Sequence, residues 1–314
     1  MSDSLASLRR KIGGAGDLES VVRSMKALAA SSIGQYEKSV LALADYFRTV
    51  ELGLVVCLRQ RARAPSLGTS KHPFGFESVV SGDHAAQKGA AAKSVSAIVF
   101  GSDQGLVGQF NDVLADFVVN ALEALPGEKK VWAVGERVHA RLSDAGLKPV
   151  GLFPVPNSVN AITPLVGRIL VESEANHAKG EIRQLFLFHN RPQVGAAYEP
   201  VLQHLLPLDE KWRLRLAHLP WPTRNLPEVI GCPEQTLGAL VKAYVFVSLF
   251  KACAESLASE NASRLVAMQR AEKNIDEVVA SLNQTFRRLR QTSIDEELFD
   301  VLSGYESLSK EKAR

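Results

Sequence analysis

The last quarter of the chain constrains the fold more than any other stretch. Between Pro233 and about Leu308 there is no further proline, and the only glycines are Gly238 and Gly304. Apolar residues recur there at steps of three and four, which is the pattern of an amphipathic helix. At 1.5 Å per residue, an unbroken helix over this stretch would extend roughly 110 Å. Such a helix projects from its own domain, so it needs a partner along its length.

The N-terminal segment carries a matching pattern. Its apolar residues alternate steps of three and four from Val22 to Cys57, and no proline precedes Pro65. A seven-residue repeat keeps one seam facing a neighbouring helix by left-handed supercoiling. We therefore expect the two terminal helices to pair antiparallel within one chain, around a separate central body. Two alternatives stay open, namely two long helices packed on a globular core and a homodimeric coiled coil.

The start of the N-terminal helix is less regular. Gly13, Gly14 and Gly16 crowd the first stretch, and Asp17 follows them as a good N-cap. The pattern predicts that the regular helix begins near Leu18.

Composition excludes several classes of protein. The 314 residues carry a net charge of only +3, mixed along the chain, which favours neither nucleic acid nor a membrane surface as a partner. The most apolar stretch, Leu240 to Ala254, is too short to cross a bilayer, so we expect no direct membrane insertion. The three cysteines are far apart and lack metal-ligand spacing, as is typical of a reducing compartment. They are Cys57, Cys232 and Cys253.

The middle of the chain alternates between strand and helix patterns. Buried-strand sequences such as Val95 to Phe100 are followed by helical segments, and this alternation predicts a mostly parallel sheet with helices on both faces. From Leu208 to Cys232 the sequence is proline-rich and reads as an irregular surface connection. The predicted divisions are 1–60 for the N-terminal helix, 61–93 for a loop-rich connection, 94–208 for the α/β domain, 209–232 for a connecting foot and 233–314 for the C-terminal helix.

No motif in the sequence strongly indicates a catalytic, nucleotide-binding or metal-binding site. The glycine-bearing turn Ser102 to Asn111 (SDQGLVGQFN) follows the first strand, but it has neither the lysine of a P-loop nor dinucleotide-binding spacing. The seven histidines are scattered without metal-ligand spacing. The sequence shows no general base beside a serine or cysteine nucleophile. We therefore predict no catalytic residue, no cofactor and no metal.

Three separated segments resemble the gamma subunit of F-type ATP synthases. Met25 to Ser31 (MKALAAS) is similar to the family's MKMVAAS, and the turn Ser102 to Asn111 is similar to SDRGLCGGLN. Ala258 to Met268 (ASENASRLVAM) resembles ASExxARMVAM, and similarity continues through Arg290-Gln291 to Ser303-Gly304. Order and spacing agree over the whole chain.

The resemblance implies a fold and a function. The fold is a long antiparallel two-helix coiled coil plus a central Rossmann-like α/β domain that binds no nucleotide. The function is that of a non-catalytic central rotor shaft, which couples rotation of a membrane ion-conducting ring to conformational change in a catalytic hexamer of alpha and beta subunits. Its implied partners are that hexamer, the epsilon subunit and the membrane c-ring. Its implied place is the cytoplasmic face of a bacterial inner membrane, as a peripheral subunit.

The resemblance also implies which residues meet the partners. The tip, about Leu298 to Leu308, would turn inside an apolar sleeve. The segment that should meet the ring, Pro227 to Pro233 (PEVIGCP), matches the family poorly. Asp295 and Arg287 replace a usual threonine and asparagine. The implied contacts with the hexamer are Met25, Lys26, Arg264, Met268, Arg290 and Gln291.

Two other classes of function remain as rivals. One is a small-molecule enzyme that uses the α/β domain and would need an acid–base or nucleophile set at the carboxyl edge of the sheet. The other is a homodimeric coiled-coil interaction protein, which light scattering of the isolated chain would reveal.

Overall fold

A computed structural model describes residues 4–63, 95–178, 184–194, 198–208, 212, 214, 216, 219–225 and 227–312. Internal contacts divide the chain into two compact units. The first contains the N-terminal helix up to Ala29 together with the chain from Leu265 onward, and the second contains residues 30–264. The predicted connection at 61–93 falls almost wholly outside the described residues.

The N-terminal helix, α1, spans Leu5–Arg63. The prediction that it begins near Leu18 is wrong, because Gly13, Gly14 and Gly16 lie inside the helix. A glycine in a helix interior costs about 1 kcal/mol relative to alanine, and tertiary packing overrides that cost here. Leu8, N-terminal to the glycines, is only 1% exposed and extends the apolar seam.

The C-terminal helix, named α5 because three shorter helices precede it, spans Pro233–Lys312 over 80 residues. Pro233 occupies the first helical position, where its missing N–H costs nothing. In the first unit α5 packs against α1. Lys26 pairs with Glu272, and the Arg9 guanidinium lies 5.7 Å from the Phe286 ring centroid. Residue numbers therefore fall along α1 as they rise along α5, which makes the pair antiparallel.

The second unit repeats this antiparallel pairing. The ring centroids of Phe47 and Tyr244 are 5.6 Å apart. At Gly53 a Cβ atom would lie 3.1 Å from the Leu240 methyl groups, so the two backbones approach closely there. The predicted α1 seam from Val22 to Cys57 is buried or half-buried at each of its members. The expectation of an antiparallel pair within one chain is confirmed, and the seam needs no second copy to be covered.

The central domain contains one five-stranded sheet. Its strands are β1 (Val95–Phe100), β2 (Lys129–Val134), β3 (Gly151–Phe153), β4 (Gln184–Pro192) and β5 (Tyr198–Leu206). The order across the sheet is β3-β2-β1-β4-β5. The first four are mutually parallel, with Val95 opposite both Lys129 and Gln184, and β5 runs antiparallel to β4. The predicted mostly parallel sheet is confirmed.

Helices cover both faces of the sheet, as predicted. The helices between strands are α2 (Phe110–Glu123), α3 (Glu136–Asp144) and α4 (Ile162–Ala178), the last preceded by a short 3₁₀ turn at Val159–Ala161. On one face α2 and α3 pack against alternate strand residues such as Val99. On the other face α4 and the second-unit parts of α1 and α5 bury the remaining ones, such as Ile98. This three-layer arrangement is a Rossmann-like α/β domain.

The segment after β5 differs from its prediction as an irregular surface connection. Trp212 and Leu216 have helical backbone and are 8% and 1% exposed, respectively. The Trp212 indole N–H donates a hydrogen bond to the Tyr244 hydroxyl at 2.9 Å. Three prolines and seven charged residues interrupt the apolar residues of Leu208 to Cys232, so the sequence shows no periodic pattern that would reveal these anchors. From Pro227 to Cys232 the chain has no regular structure, as predicted.

Candidate functional site

The crevice between the carboxyl ends of β1 and β4 is where an open α/β sheet of this topology would bind a ligand. The chain leaves β1 toward β2 on one side and reaches β4 on the other, which makes this the topological switch point. Here α5 fills the crevice. The Ser256 hydroxyl donates to the backbone carbonyl oxygen of Phe100 at 3.0 Å. The Ser259 hydroxyl lies 3.0 Å from the backbone carbonyl oxygen of Asn190. Both serines are 2% exposed or less.

The glycine-bearing turn after β1 is bonded to itself and to α5. The backbone N–H of Ser102 donates to Asn111 Oδ1 at 3.0 Å, and Asn111 Nδ2 donates to the Ser102 hydroxyl at 2.8 Å. The Ser263 hydroxyl of α5 donates to the carbonyl oxygen of Val107 at 2.6 Å. These hydrogen bonds engage groups of the turn within the protein, as expected of a structural turn rather than a ligand-binding one.

A side chain of the domain itself occupies the place where an anionic ligand group would bind. The N-terminus of a helix at the carboxyl edge of a sheet attracts negative charge. Asp103 Oδ1 accepts a hydrogen bond from the backbone N–H of Glu136, the first residue of α3, at 2.9 Å. Its other oxygen accepts one from the N–H of Val155 at 2.8 Å. The Asp103 carboxylate therefore neutralises this helix terminus and ties the loop after β3 to it.

A charged cluster joins β4 to α5. His189 Nε2 lies 2.7 Å from Glu255 Oε2, with Arg191 Nε at 3.5 Å and Lys251 Nζ at 3.8 Å from the same carboxylate. Burial alone would raise the pKa of Glu255. The hydrogen bond from His189 and the positive charges of Lys251 and Arg191 outweigh burial and hold that pKa below its usual value. The cluster is a cross-link between sheet and helix, at the edge where a catalytic set would have to be.

A second pair, Glu260 and Arg264, lies about one and two turns of α5 beyond Ser256. Arg264 donates to Glu260 Oε1 at 2.6 Å, and the side chains are 12% and 7% exposed. Burial raises the pKa of Glu260, and the attraction of Arg264 only partly offsets this. The negative charge of Asp103 raises it further. The pKa of Glu255 is thus lowered and that of Glu260 is raised, although both residues lie on α5.

The gamma family model of ATP synthase matches residues 4–308. The chain belongs to the ATP synthase gamma subunit family. Solved structures of low sequence identity share its fold. A chain of the Tetrahymena thermophila mitochondrial ATP synthase central stalk and c-ring is 23% identical, with a TM-score of 0.52 over 80% of this chain and 99% of that one.

Two structures from Euglena gracilis mitochondrial ATP synthase show the same fold over more of the chain. One, from the rotor in rotational state 1, is 14% identical, with a TM-score of 0.54 over 92% of this chain and 98% of that one. The other, from the OSCP/F1/c-ring assembly in rotational state 3, is 15% identical, with a TM-score of 0.59 over 98% and 95%. The predicted gamma-subunit fold is therefore confirmed.

The structure separates the six gamma-subunit contact residues predicted from the sequence into two groups. Arg290 and Gln291 are exposed on α5, and neither pairs with another residue in the described part of the chain. The other four face inward to different degrees. Met268 is 2% exposed, Met25 is half-buried, Lys26 is paired with Glu272, and Arg264 is paired with Glu260.

The end of α5 carries apolar side chains that the protein leaves exposed. Leu298, Phe299 and Val301 are 55%, 69% and 71% exposed, and Leu302 is 56% exposed. Exposed apolar patches of this kind commonly mark interaction surfaces.

Sequence reasoning missed the residues that lock α5 onto the gamma subunit's α/β domain. Ser256, Ser259 and Ser263 recur at steps of three and four, on the same face as the apolar seam. Hydroxyls at these positions could have signalled a helix that hydrogen-bonds to backbone carbonyl groups of the domain. No comparable signal links Glu255 with His189, because 66 residues separate them.

One stretch of α5 is strongly apolar. Within the described residues, Pro233–Ser303 is long and apolar enough to cross a membrane, with a mean hydropathy of 1.6 in its most apolar window. However, 67% of that window is buried inside the protein. A buried core helix passes the same test of length and composition, so we do not interpret this helix as a membrane span.

We expect Glu255→Gln and Glu260→Gln to change the pH dependence of folding stability with opposite signs. A lowered pKa gives Glu255 a stabilising contribution that is present above its unfolded-state value and lost as the pH falls through its folded-state value. The raised pKa of Glu260 makes the folded protein lose stability as the pH rises from the unfolded-state to the folded-state value. Each pKa unit corresponds to about 1.4 kcal/mol.

Urea unfolding of the wild type and both variants between pH 3 and pH 8 measures this. The stability difference between wild type and Glu255→Gln should grow with pH, whereas that for Glu260→Gln should shrink. Parallel pH profiles in the two variants would contradict the assignment of opposite shifts.

Proposed function

We propose that this chain is the central rotor shaft of a rotary ATP synthase or ATPase. It couples rotation of a membrane ion-conducting ring to conformational change in a catalytic hexamer of alpha and beta subunits, and it is itself non-catalytic. The observation that carries this proposal is the filling of the switch-point crevice by α5. The crevice where a dinucleotide-binding domain of this topology would hold its ligand instead anchors the long helix. In this proposal the central domain holds the helix pair in place.

A rotor acts by making different contacts with each subunit around it. Coupling requires that the catalytic subunits have different interaction free energies with the different faces of the shaft. The end of α5 suits this role, since its apolar residues are exposed and Arg290 and Gln291 present polar groups nearby. An arginine side chain can hold a carboxylate through two parallel hydrogen bonds, and it stays charged at every step of a turn.

The buried members of the predicted contact set act differently in this proposal. Arg264 and Met268 would support the surface that meets the hexamer, because Arg264 is committed to Glu260 and Met268 has little exposed area. Met25 and Lys26 would do so from α1. Truncating these four should therefore affect folding of the isolated chain as well as coupling.

In this proposal the start of α5 and the segment before it meet the membrane ring and the epsilon subunit. Within Pro227–Pro233, Ile230 is 95% exposed and Gly231 adopts a φ of 93°. An almost fully exposed isoleucine in a segment without regular structure suits a contact surface. One of the similar Euglena gracilis chains comes from an assembly of OSCP, F1 and c-ring, and another comes from the rotor. We extend that partnership to this chain and propose a peripheral position at the cytoplasmic face of a bacterial membrane.

We expect the double substitution Arg290→Ala, Gln291→Ala to lower the turnover or the assembly of the reconstituted complex. Both side chains are exposed, so their loss should leave the isolated chain folded. The measurement is ATPase activity of the complex, together with circular dichroism and thermal unfolding of the free chain. Lys148→Ala is the matched control, because it removes an exposed charge from the α/β domain. Wild-type turnover and assembly in the double variant would contradict the proposed contact.

A further inference from the structure

The ion pair of Glu260 and Arg264 on α5 is held by fewer hydrogen bonds than its side chains can make. Arg264 Nη2 donates to Glu260 Oε1 at 2.6 Å, and Arg264 Nη1 lies 3.4 Å from Asn261 Oδ1. Glu260 Oε2 and Arg264 Nε have no hydrogen-bond partner among the described residues. An arginine and a carboxylate often form two parallel hydrogen bonds. Here one short hydrogen bond holds the guanidinium.

Titratable groups interact electrostatically with Glu260 from three elements of the second unit. On α5 they are Arg264 and the buried Cys253, on α1 the group is Tyr36, and in the turn after β1 it is Asp103. Arg264 is the cation among these four groups, and Asp103 brings a second negative charge. Burial and Asp103 raise the pKa of Glu260, whereas Arg264 lowers it. Glu260 therefore stays ionised chiefly through its bond with Arg264.

Arg264 depends on Glu260 in turn. A charged side chain that is buried without an opposite charge is strongly destabilising. If Glu260 becomes neutral, the guanidinium keeps only its long contact with Asn261. The Arg264 side chain is already 12% exposed, so it lies near the protein surface. A long arginine side chain can carry its charged head into water while its stem stays packed.

We propose that Glu260 and Arg264 form a proton-operated latch. While Glu260 is ionised, its carboxylate retains the Arg264 guanidinium within the second unit. When a proton from the solvent adds to that carboxylate, the charge-assisted hydrogen bond is lost and the guanidinium turns out into water. Released Arg264 presents its five N–H donors to an anionic group of a partner.

The latch also operates in reverse. A partner carboxylate that draws Arg264 outward leaves Glu260 buried without its cation, so binding of that partner favours proton uptake by Glu260. This consequence rests on the proposed rotor function, because that proposal supplies the partner. The latch itself is a property of the isolated chain.

Hydroxyl-radical footprinting of the full chain, read by mass spectrometry, measures the exposure of Arg264. Labelling is normalised to Arg290, which is exposed on the same helix. Glu260→Gln imitates the protonated form at a fixed pH. At pH 8 it should raise the labelling of Arg264 about threefold over wild type, as the guanidinium leaves its 12% exposed position. Glu296→Gln, which removes an exposed charge elsewhere on α5, should label like wild type. Wild-type protection of Arg264 in Glu260→Gln overturns the proposal.

The same measurement on wild type between pH 8 and pH 4 tests the proton directly. Labelling of Arg264 should rise as the pH falls, with a midpoint above 4.5, the ordinary value for glutamate. In Glu260→Gln it should be high throughout. Tyr244, which is 2% exposed, should stay protected and so separates release from unfolding. Labelling that stays constant in wild type, or that rises only together with Tyr244, overturns the proposal. Neither measurement involves a partner, so its outcome is independent of the rotor function.

Discussion

Gly135→Ala is expected to lower the free energy of unfolding by about 2–6 kcal/mol. Gly135 precedes α3 with a φ of 118°, a conformation that residues with a Cβ rarely adopt. A Cβ atom there would lie 2.7 Å from the carbonyl oxygen of Ser102. Backbone strain of this kind costs about 1–3 kcal/mol, and overpacking costs about 1–3 kcal/mol more. Both costs arise where the turn after β1 meets the start of α3, the place where Asp103 accepts the hydrogen bond from Glu136.

The matched control for this substitution is Gly13→Ala in α1. Gly13 lies in a regular helix with open space around the position of a Cβ, so alanine should stabilise the protein by about 0.5–1 kcal/mol. Denaturant unfolding of both variants, with the wild type, measures the two effects. A Gly135→Ala variant as stable as the wild type would show that the turn and α3 do not meet as described.

Tyr244→Ala is expected to destabilise the second unit by about 3–5 kcal/mol, the range for truncating a buried aromatic side chain. Tyr244 is 2% exposed and contacts Phe47 of α1 and Trp212. Removal of its ring therefore leaves a cavity between three segments that are distant in sequence. Because the ring joins the terminal helices to the central domain, the loss should appear as reduced cooperativity of unfolding as well as reduced stability.

Tyr244→Phe separates packing from hydrogen bonding at this site. It keeps the ring and removes only the acceptor for the Trp212 indole, so the expected loss is about 1–3 kcal/mol, the cost of an unsatisfied buried donor. Urea titrations followed by both fluorescence and circular dichroism compare the variants. Equal losses in the alanine and phenylalanine variants would mean that the ring itself packs against nothing of importance.

The sequence predicted the parts of the fold that depend on periodicity. The seam from Val22 to Cys57 and the strand Val95 to Phe100 each show one period over their whole length, and the structure has them as predicted. Predictions from local sequence preference were wrong where tertiary contacts outweigh that preference. The glycines before Asp17 lower helix propensity, yet packing of Leu8 continues α1 through them.

The buried polar contacts were less accessible from sequence. Glu255 with His189 and Asp103 with Val155 join residues 66 and 52 positions apart, and no spacing rule links them. The same limit applied to Arg264, which the family resemblance assigned to a partner contact. Its position four residues after Glu260 permits an ion pair within the helix, but only the fold shows that both side chains are buried.

Rotation of this chain within an assembled complex tests the central claim most directly. Cys232 is exposed, whereas Cys57 and Cys253 are buried, and burial raises the pKa of both buried thiols. A thiol-reactive probe should therefore label Cys232 selectively, since the thiolate is the reactive form. With the alpha and beta subunits immobilised, the account predicts that ATP drives unidirectional rotation of a bead attached at Cys232, which stops when ATP is exhausted. A bead that stays fixed while the complex hydrolyses ATP would contradict it.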